Sequence, residues 1–128
     1  MDKNTDGSID FQVNGIVYRF EKSNYEDHYR KHPKVKDEKC LQEIESAIRD
    51  PDVKTQGPKT SSQFNFYKVM SYSESKGGPR YVRYWKVVVF YNNKNFARIA
   101  TCFDSSAPNF YVVNNLEKIL WKKPNSQI

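Results

Sequence analysis

The stretch Tyr81-Val82-Arg83-Tyr84-Trp85-Lys86-Val87-Val88-Val89-Phe90-Tyr91, followed by Asn92-Asn93-Lys94-Asn95 and then Phe96-Ala97-Arg98-Ile99-Ala100-Thr101-Cys102-Phe103, decides the fold. β-Branched and aromatic residues crowd its first half, as in a strand with at least one buried face. The Asn-rich tetrapeptide is a turn, and the second run returns as an antiparallel partner. A two-residue loop at Asn93-Lys94 and a four-residue loop at Asn92–Asn95 predict the same register. Tyr91 then faces Phe96, Val88 faces Ile99 and Lys86 faces Thr101. Because side chains alternate, Tyr84, Lys86, Val88, Phe90, Ala97, Ile99, Thr101 and Phe103 share one face. Its apolar end, near the turn, is expected to lie beneath a helix. The opposite face, with Tyr81, Arg83, Trp85, Val87, Val89, Tyr91, Arg98 and Cys102, reads as half-solvated.

Upstream, Phe64 to Tyr72 reads as a third strand, so residues 64–103 form a meander, with Ser73 to Pro79 as a connection and residues 54–63 as a loop. Ile9 to Phe20 reads as a hairpin, with alternating apolar residues around Asn14-Gly15, a strong type I′ turn signal. Ser23-Asn24-Tyr25-Glu26 matches a capping box and opens a helix to about Lys31, which Pro33 stops. A second helix spans roughly Asp37 to Arg49. Cys40, Leu41, Ile44, Ala47 and Ile48 are its apolar stripe, and Asp50-Pro51 ends it. Asn114 with Glu117 caps a last short helix over 114–122. The expected fold is α+β: an N-terminal hairpin and helices packed on a central antiparallel meander sheet, with a short C-terminal helix. With 128 residues the chain suits a single domain over 1–128.

Apolar residues make up only 38% of the chain, but nine Tyr, eight Phe and two Trp supply burial with few residues. The net charge of +6 favours a polyanion or an acidic protein as partner, although such a charge is also ordinary for a small soluble domain. No run approaches the roughly 18 apolar residues of a membrane span, and the polar N-terminus lacks the apolar core of a secretion signal. A cytoplasmic location with no membrane association is expected. Cys40 and Cys102 are expected to be reduced and buried. Two isolated Cys and two His fall short of a zinc set, so no metal and no cofactor is expected.

Two features carry chemistry. Lys86 and Thr101, flanked by Tyr84 and Phe103, offer an ammonium and a hydroxyl for phosphate and rings for bases. The bland alternative is a lysine that snorkels along the sheet edge. His28-Tyr29-Arg30-Lys31-His32-Pro33 holds both histidines of the chain, four apart on one helix face. At a helix C-terminus His32 could act as acid or base near neutral pH. RNA cleavage by internal attack of the 2′-hydroxyl needs such groups and cations on the phosphate. The bland alternative is a capping His32 and a surface His28.

His28-Tyr29-Arg30-Lys31-His32-Pro33, the amphipathic helix ending at Arg49-Asp50-Pro51, and the final strand Ile99-Ala100-Thr101-Cys102-Phe103 together resemble a group of small nucleases. These are the phage-encoded branch of the barnase, EndoU, colicin and RelE-like ribonucleases, whose superfamily includes compact toxins such as BrnT. The resemblance covers residues from about 23 to 105. It implies metal-independent RNA cleavage at one face of the sheet, with His28, His32, Lys86 and Thr101 catalytic. Arg30, Lys31, Arg83, Tyr84 and Phe103 would contact nucleic acid. RNA would be the partner, and a toxin would also meet an acidic antitoxin or immunity protein. Two other functions stay open: a non-catalytic nucleic-acid-binding domain, and a phage-type protein-interaction or inhibitor module. The hairpin of residues 9–20 lies outside this pattern.

Overall fold

The computed structural model describes residues 1–31, 38–57, 60–69, 84–105 and 107–124. These form an α+β fold, mostly sheet. The strands are β1 (Asp2–Lys3), β2 (Ile9–Val13), β3 (Ile16–Phe20), β4 (Val53–Gln56), β5 (Gln63–Val69), β6 (Tyr84–Asn93), β7 (Phe96–Ser105) and β8 (Lys118–Lys122). The helices are α1 (Lys22–Lys31), α2 (Glu38–Arg49) and α3 (Pro108–Val113). The strands make one mixed, eight-stranded sheet in the order β1-β2-β3-β7-β6-β5-β4-β8.

β2 and β3 pair antiparallel, and the turn between them has Asn14 at φ 52° and Gly15 at φ 79°, the left-handed pair that a type I′ turn demands. β3 then pairs parallel with β7, Tyr18 beside Ala97, the one parallel junction in the sheet. α1 begins at Lys22, because the Tyr25 amide already donates to the Glu21 carbonyl, so Ser23 lies inside the helix rather than capping it.

α2 lays Leu41, Ile44, Ala47 and Ile48 on one face of the sheet. They pack with Phe11, Phe20, Phe66, Val87, Val89, Ala97, Ile99 and Cys102. This corrects the alternation expected for the long hairpin. The turn sits one residue later, with Asn93 opposite Phe96, and irregularities at Asn92 and Ala100 shift the pairing twice. Each extra residue flips the side chains beyond it to the other face. Val87 and Val89 therefore join Ile99 beneath α2, and Trp85 donates from Nε1 to Glu43 Oε2 at 2.7 Å. Lys86 pairs with Phe103, and Thr101 faces Val88.

Two further expectations are corrected. Residues 53–56 form β4, where Val53 and Thr55 point inward and Lys54 and Gln56 outward, so the loop expected over 54–63 starts late. The helix expected over 114–122 does not form: α3 ends before it and β8 occupies its second half. Asn115 at φ 57° breaks any helical path, and Lys118–Lys122 completes the open edge of β4. Cys102 is buried; the Cys40 side chain lies outside the described residues. No described helix is long and apolar enough to cross a membrane.

Candidate functional site

The sheet face away from α2 carries a second, smaller core of Val53, Tyr67 and Tyr84, closed by Ala107, Tyr111 and Ile119. Within it lies a polar cluster that three adjacent strands and the chain after α3 build together. β4 supplies Thr55, β5 supplies Asn65 and Tyr67, and β6 supplies Lys86. Opposite pairing of Thr55 with Asn65, and of Tyr67 with Lys86, puts these four side chains in neighbouring rows. α3 starts with Pro108 and is capped by Asn114, and the turn at Asn115 delivers Glu117 onto the four of them.

Glu117 is the hub. Lys86 Nζ lies 2.8 Å from its Oε2, and the two side chains are only 9% and 3% exposed. The Tyr67 hydroxyl reaches Oε1 at 2.6 Å and Oε2 at 2.8 Å, the Asn65 amide donates to Oε1 at 3.0 Å, and the Thr55 hydroxyl donates to Oε1 as well. Burial, then donation to Glu117, pushes the Tyr67 phenol far above its ordinary range. Lys86 is also caged by rings: its ammonium lies 3.8 Å from the Tyr111 ring centroid, 5.3 Å from Tyr67 and 5.7 Å from Phe103. Tyr111 is held in turn by its hydroxyl, 2.9 Å from Ser105 Oγ. A depression of about 280 Å³ lined by Gln56, Gly57, Asn115 and Lys118 reaches Glu117 from outside.

Withdrawing two charges from water costs several kcal/mol per ion, and only good geometry with further hydrogen bonds offsets it. Here both conditions are met. Glu117 therefore pairs with Lys86 and fixes its position among the rings.

The structure brings Tyr84, Lys86, Thr101 and Phe103 to one face, with Thr101 a diagonal neighbour of Lys86. Tyr84 is buried edge-on to Tyr67, its ring taken up in packing. Arg30 is exposed on α1 and bonds Asp27 at 2.7 Å. His28 and Lys31 lie in α1 with side chains outside the described residues, and His32 and Arg83 lie wholly outside them. Glu117, Tyr67, Thr55, Asn65 and Tyr111 were not expected in a site. One signal for Glu117 is present, since it is the sole acid after Asp104, set in an apolar, basic run. Among the described residues no group of three or more His, Cys, Asp and Glu could hold a metal ion.

No protein-family model, curated protein or solved structure matches the chain.

Proposed function

We propose that the protein is a metal-independent endoribonuclease of the toxin or phage-effector kind, working on the sheet face opposite α2. The observation that carries this reading is Lys86, an ammonium held rigidly by Glu117 among three rings, on the same face as Thr101. A preorganised cation is what a pentacoordinate phosphate needs. Thr101 adds a hydroxyl beside it, and the +6 charge favours RNA over a neutral substrate. The resemblance of residues 23–105 to the barnase, EndoU, colicin and RelE-like ribonucleases points the same way. In this reading His32 transfers the proton, His28 assists it or holds substrate, and Arg30, Lys31, Arg83 and Phe103 would contact the RNA. An acidic antitoxin or immunity protein would hold the activity in check.

A second reading is favoured by one specific feature: the Lys86 charge is already matched by Glu117. A domain that binds RNA without cutting it would tolerate that.

One assay separates the two. The purified protein is incubated with mixed single-stranded RNA in excess EDTA, and the fragments are tested for 2′,3′-cyclic phosphate ends. The expected outcome is cleavage that His32→Ala lowers by about 10²–10⁴-fold with an unchanged thermal midpoint. Retention of RNA with no fragments supports the binding domain instead. Cleavage seen only after divalent metal is added overturns the mechanism.

A further inference from the structure

A second concave site lies on the α2 side of the sheet, away from the Glu117 cluster. It is a groove of about 410 Å³ between the end of α2, the β2–β3 turn and Trp121 of β8. That volume falls within the usual range of small-ligand pockets, roughly 300–1,000 Å³.

Lys54 projects into this groove. Its ammonium lies 4.9 Å from the Phe64 ring centroid, 5.3 Å from Phe66 and 5.8 Å from Tyr91. It is half-buried, and burial lowers its hold on the proton. Among the described residues no carboxylate pairs with it. The acid at the groove's rim, Asp50, is engaged by Lys68 at 3.0 Å and Lys123 at 3.1 Å. The rings replace part of the hydration that Lys54 has lost, but they bring no counter-charge. This contrasts with Lys86, where a carboxylate completes the cage.

The walls are suited to a flat partner. Trp121 stands at the mouth with 45% of its surface exposed. The hydroxyls of Tyr18 and Tyr91 meet at 2.8 Å along one side. Arg49 ends α2 at the rim, donating to the Gln12 carbonyl and to Glu45 while remaining largely exposed. An exposed indole, a second cation at the rim and an uncompensated ammonium in an aromatic floor make up the donor set for a base bearing a phosphate.

The geometry points to a nucleotide site in this groove, with a base stacked on Trp121 and a 5′-phosphate drawn to Lys54 and Arg49. The ligand comes either as a free nucleoside monophosphate or as one unit of an RNA strand. This inference does not depend on the cleavage reading, because the groove and the Glu117 cluster lie on opposite faces of the sheet.

Calorimetric titration of the full chain with 5′-AMP, adenosine and a short oligoribonucleotide tests it, with Trp fluorescence as a second readout. Trp85 is buried and bonded to Glu43, so quenching that Trp121→Phe abolishes reports the groove. Saturable 5′-AMP binding is expected, weakened about tenfold or more by Lys54→Met. Adenosine should bind equally to both proteins. Because the substitution removes a half-buried charge and keeps an apolar stem, the thermal midpoint should hold or rise. Binding of the oligonucleotide alone identifies the strand as the source, and binding of 5′-AMP alone identifies the free nucleotide. No saturable binding of either, or equal binding by the Lys54→Met protein, overturns the site.

Discussion

Glu117 accepts hydrogen bonds from Thr55, Asn65, Tyr67 and Lys86 where water barely reaches, and the four donors come from three strands. Glu117→Ala would leave Lys86 buried, charged and unpaired. The expected loss is about 3–5 kcal/mol in urea unfolding, because an orphaned buried charge costs far more than the net worth of the pair. Lys86→Met combined with Glu117→Leu should recover the part of that loss due to the unmatched charge, while Thr55, Asn65 and Tyr67 still lose their acceptor. A double variant as unstable as the single one would show that Lys86 does not depend on Glu117. At this scale the sequence was half legible. Lys86 stood out as a cation in an apolar strand, flanked by Tyr84 and Phe103. Glu117 was hidden because an acid three residues after Asn114 looks like a helix cap. Only the left-handed Asn115 turns it inward; asparagine tolerates that conformation, but with Asn114 beside it the sequence does not say which of the two adopts it.

Between elements, the cross-strand pairing of Asp10 with Arg19 fixes two charges side by side, with Arg19 Nε 2.8 Å from Asp10 Oδ1 and Nη2 3.0 Å from Oδ2. The hydrogen bonds from Arg19 hold the Asp10 carboxyl below its ordinary range. A depressed folded value means that the stabilisation is fully present above the unfolded carboxylate value of about 3.9. It is lost as pH falls through the folded value. The pair is partly exposed, so Asp10→Asn should cost about 0.5–1 kcal/mol at pH 7. Urea midpoints of the two proteins should converge in strong acid; a gap that persists there would mean that charge is not its source. The elements show why periodicity carries part of the way. The Asn14-Gly15 turn and the α2 stripe are local signals, and both are where the residues place them. The irregularities at Asn92 and Ala100 are not local, since they arise from the pairing of two ten-residue strands with each other. β4 has only Val53 and Thr55 facing in, too few for a strand pattern, and it exists because β5 and β8 flank it.

The whole molecule is a sheet with two unlike cores, an aliphatic and aromatic one under α2 and a polar one under α3. Among the described residues, Ile44 in the first core and Glu117 with Thr55, Asn65, Tyr67 and Lys86 on the second face share no partner. Ile44→Ala should cost about 2–5 kcal/mol through the cavity it leaves. Combined with Glu117→Ala, it should give a total within about 0.5 kcal/mol of the two separate losses, as for independent sites. The readout is urea unfolding in a background stable enough to hold both changes. A larger departure would show that the sheet transmits strain from one face to the other.

The parallel seam between β3 and β7 has a consequence in time. Residues 17–19 find their partners at 96–98, about eighty positions further along the chain. During synthesis at roughly 5–20 residues per second, the first hairpin leaves the ribosome seconds before the strand that will hold it. Until then the edge of β3 that pairs with residues 96–98 has no strand beside it. Loop closure of that length precedes any reward from the contacts it brings, so the seam is expected to form late, and hydrogen exchange during refolding should protect the β3 amides after those of α2.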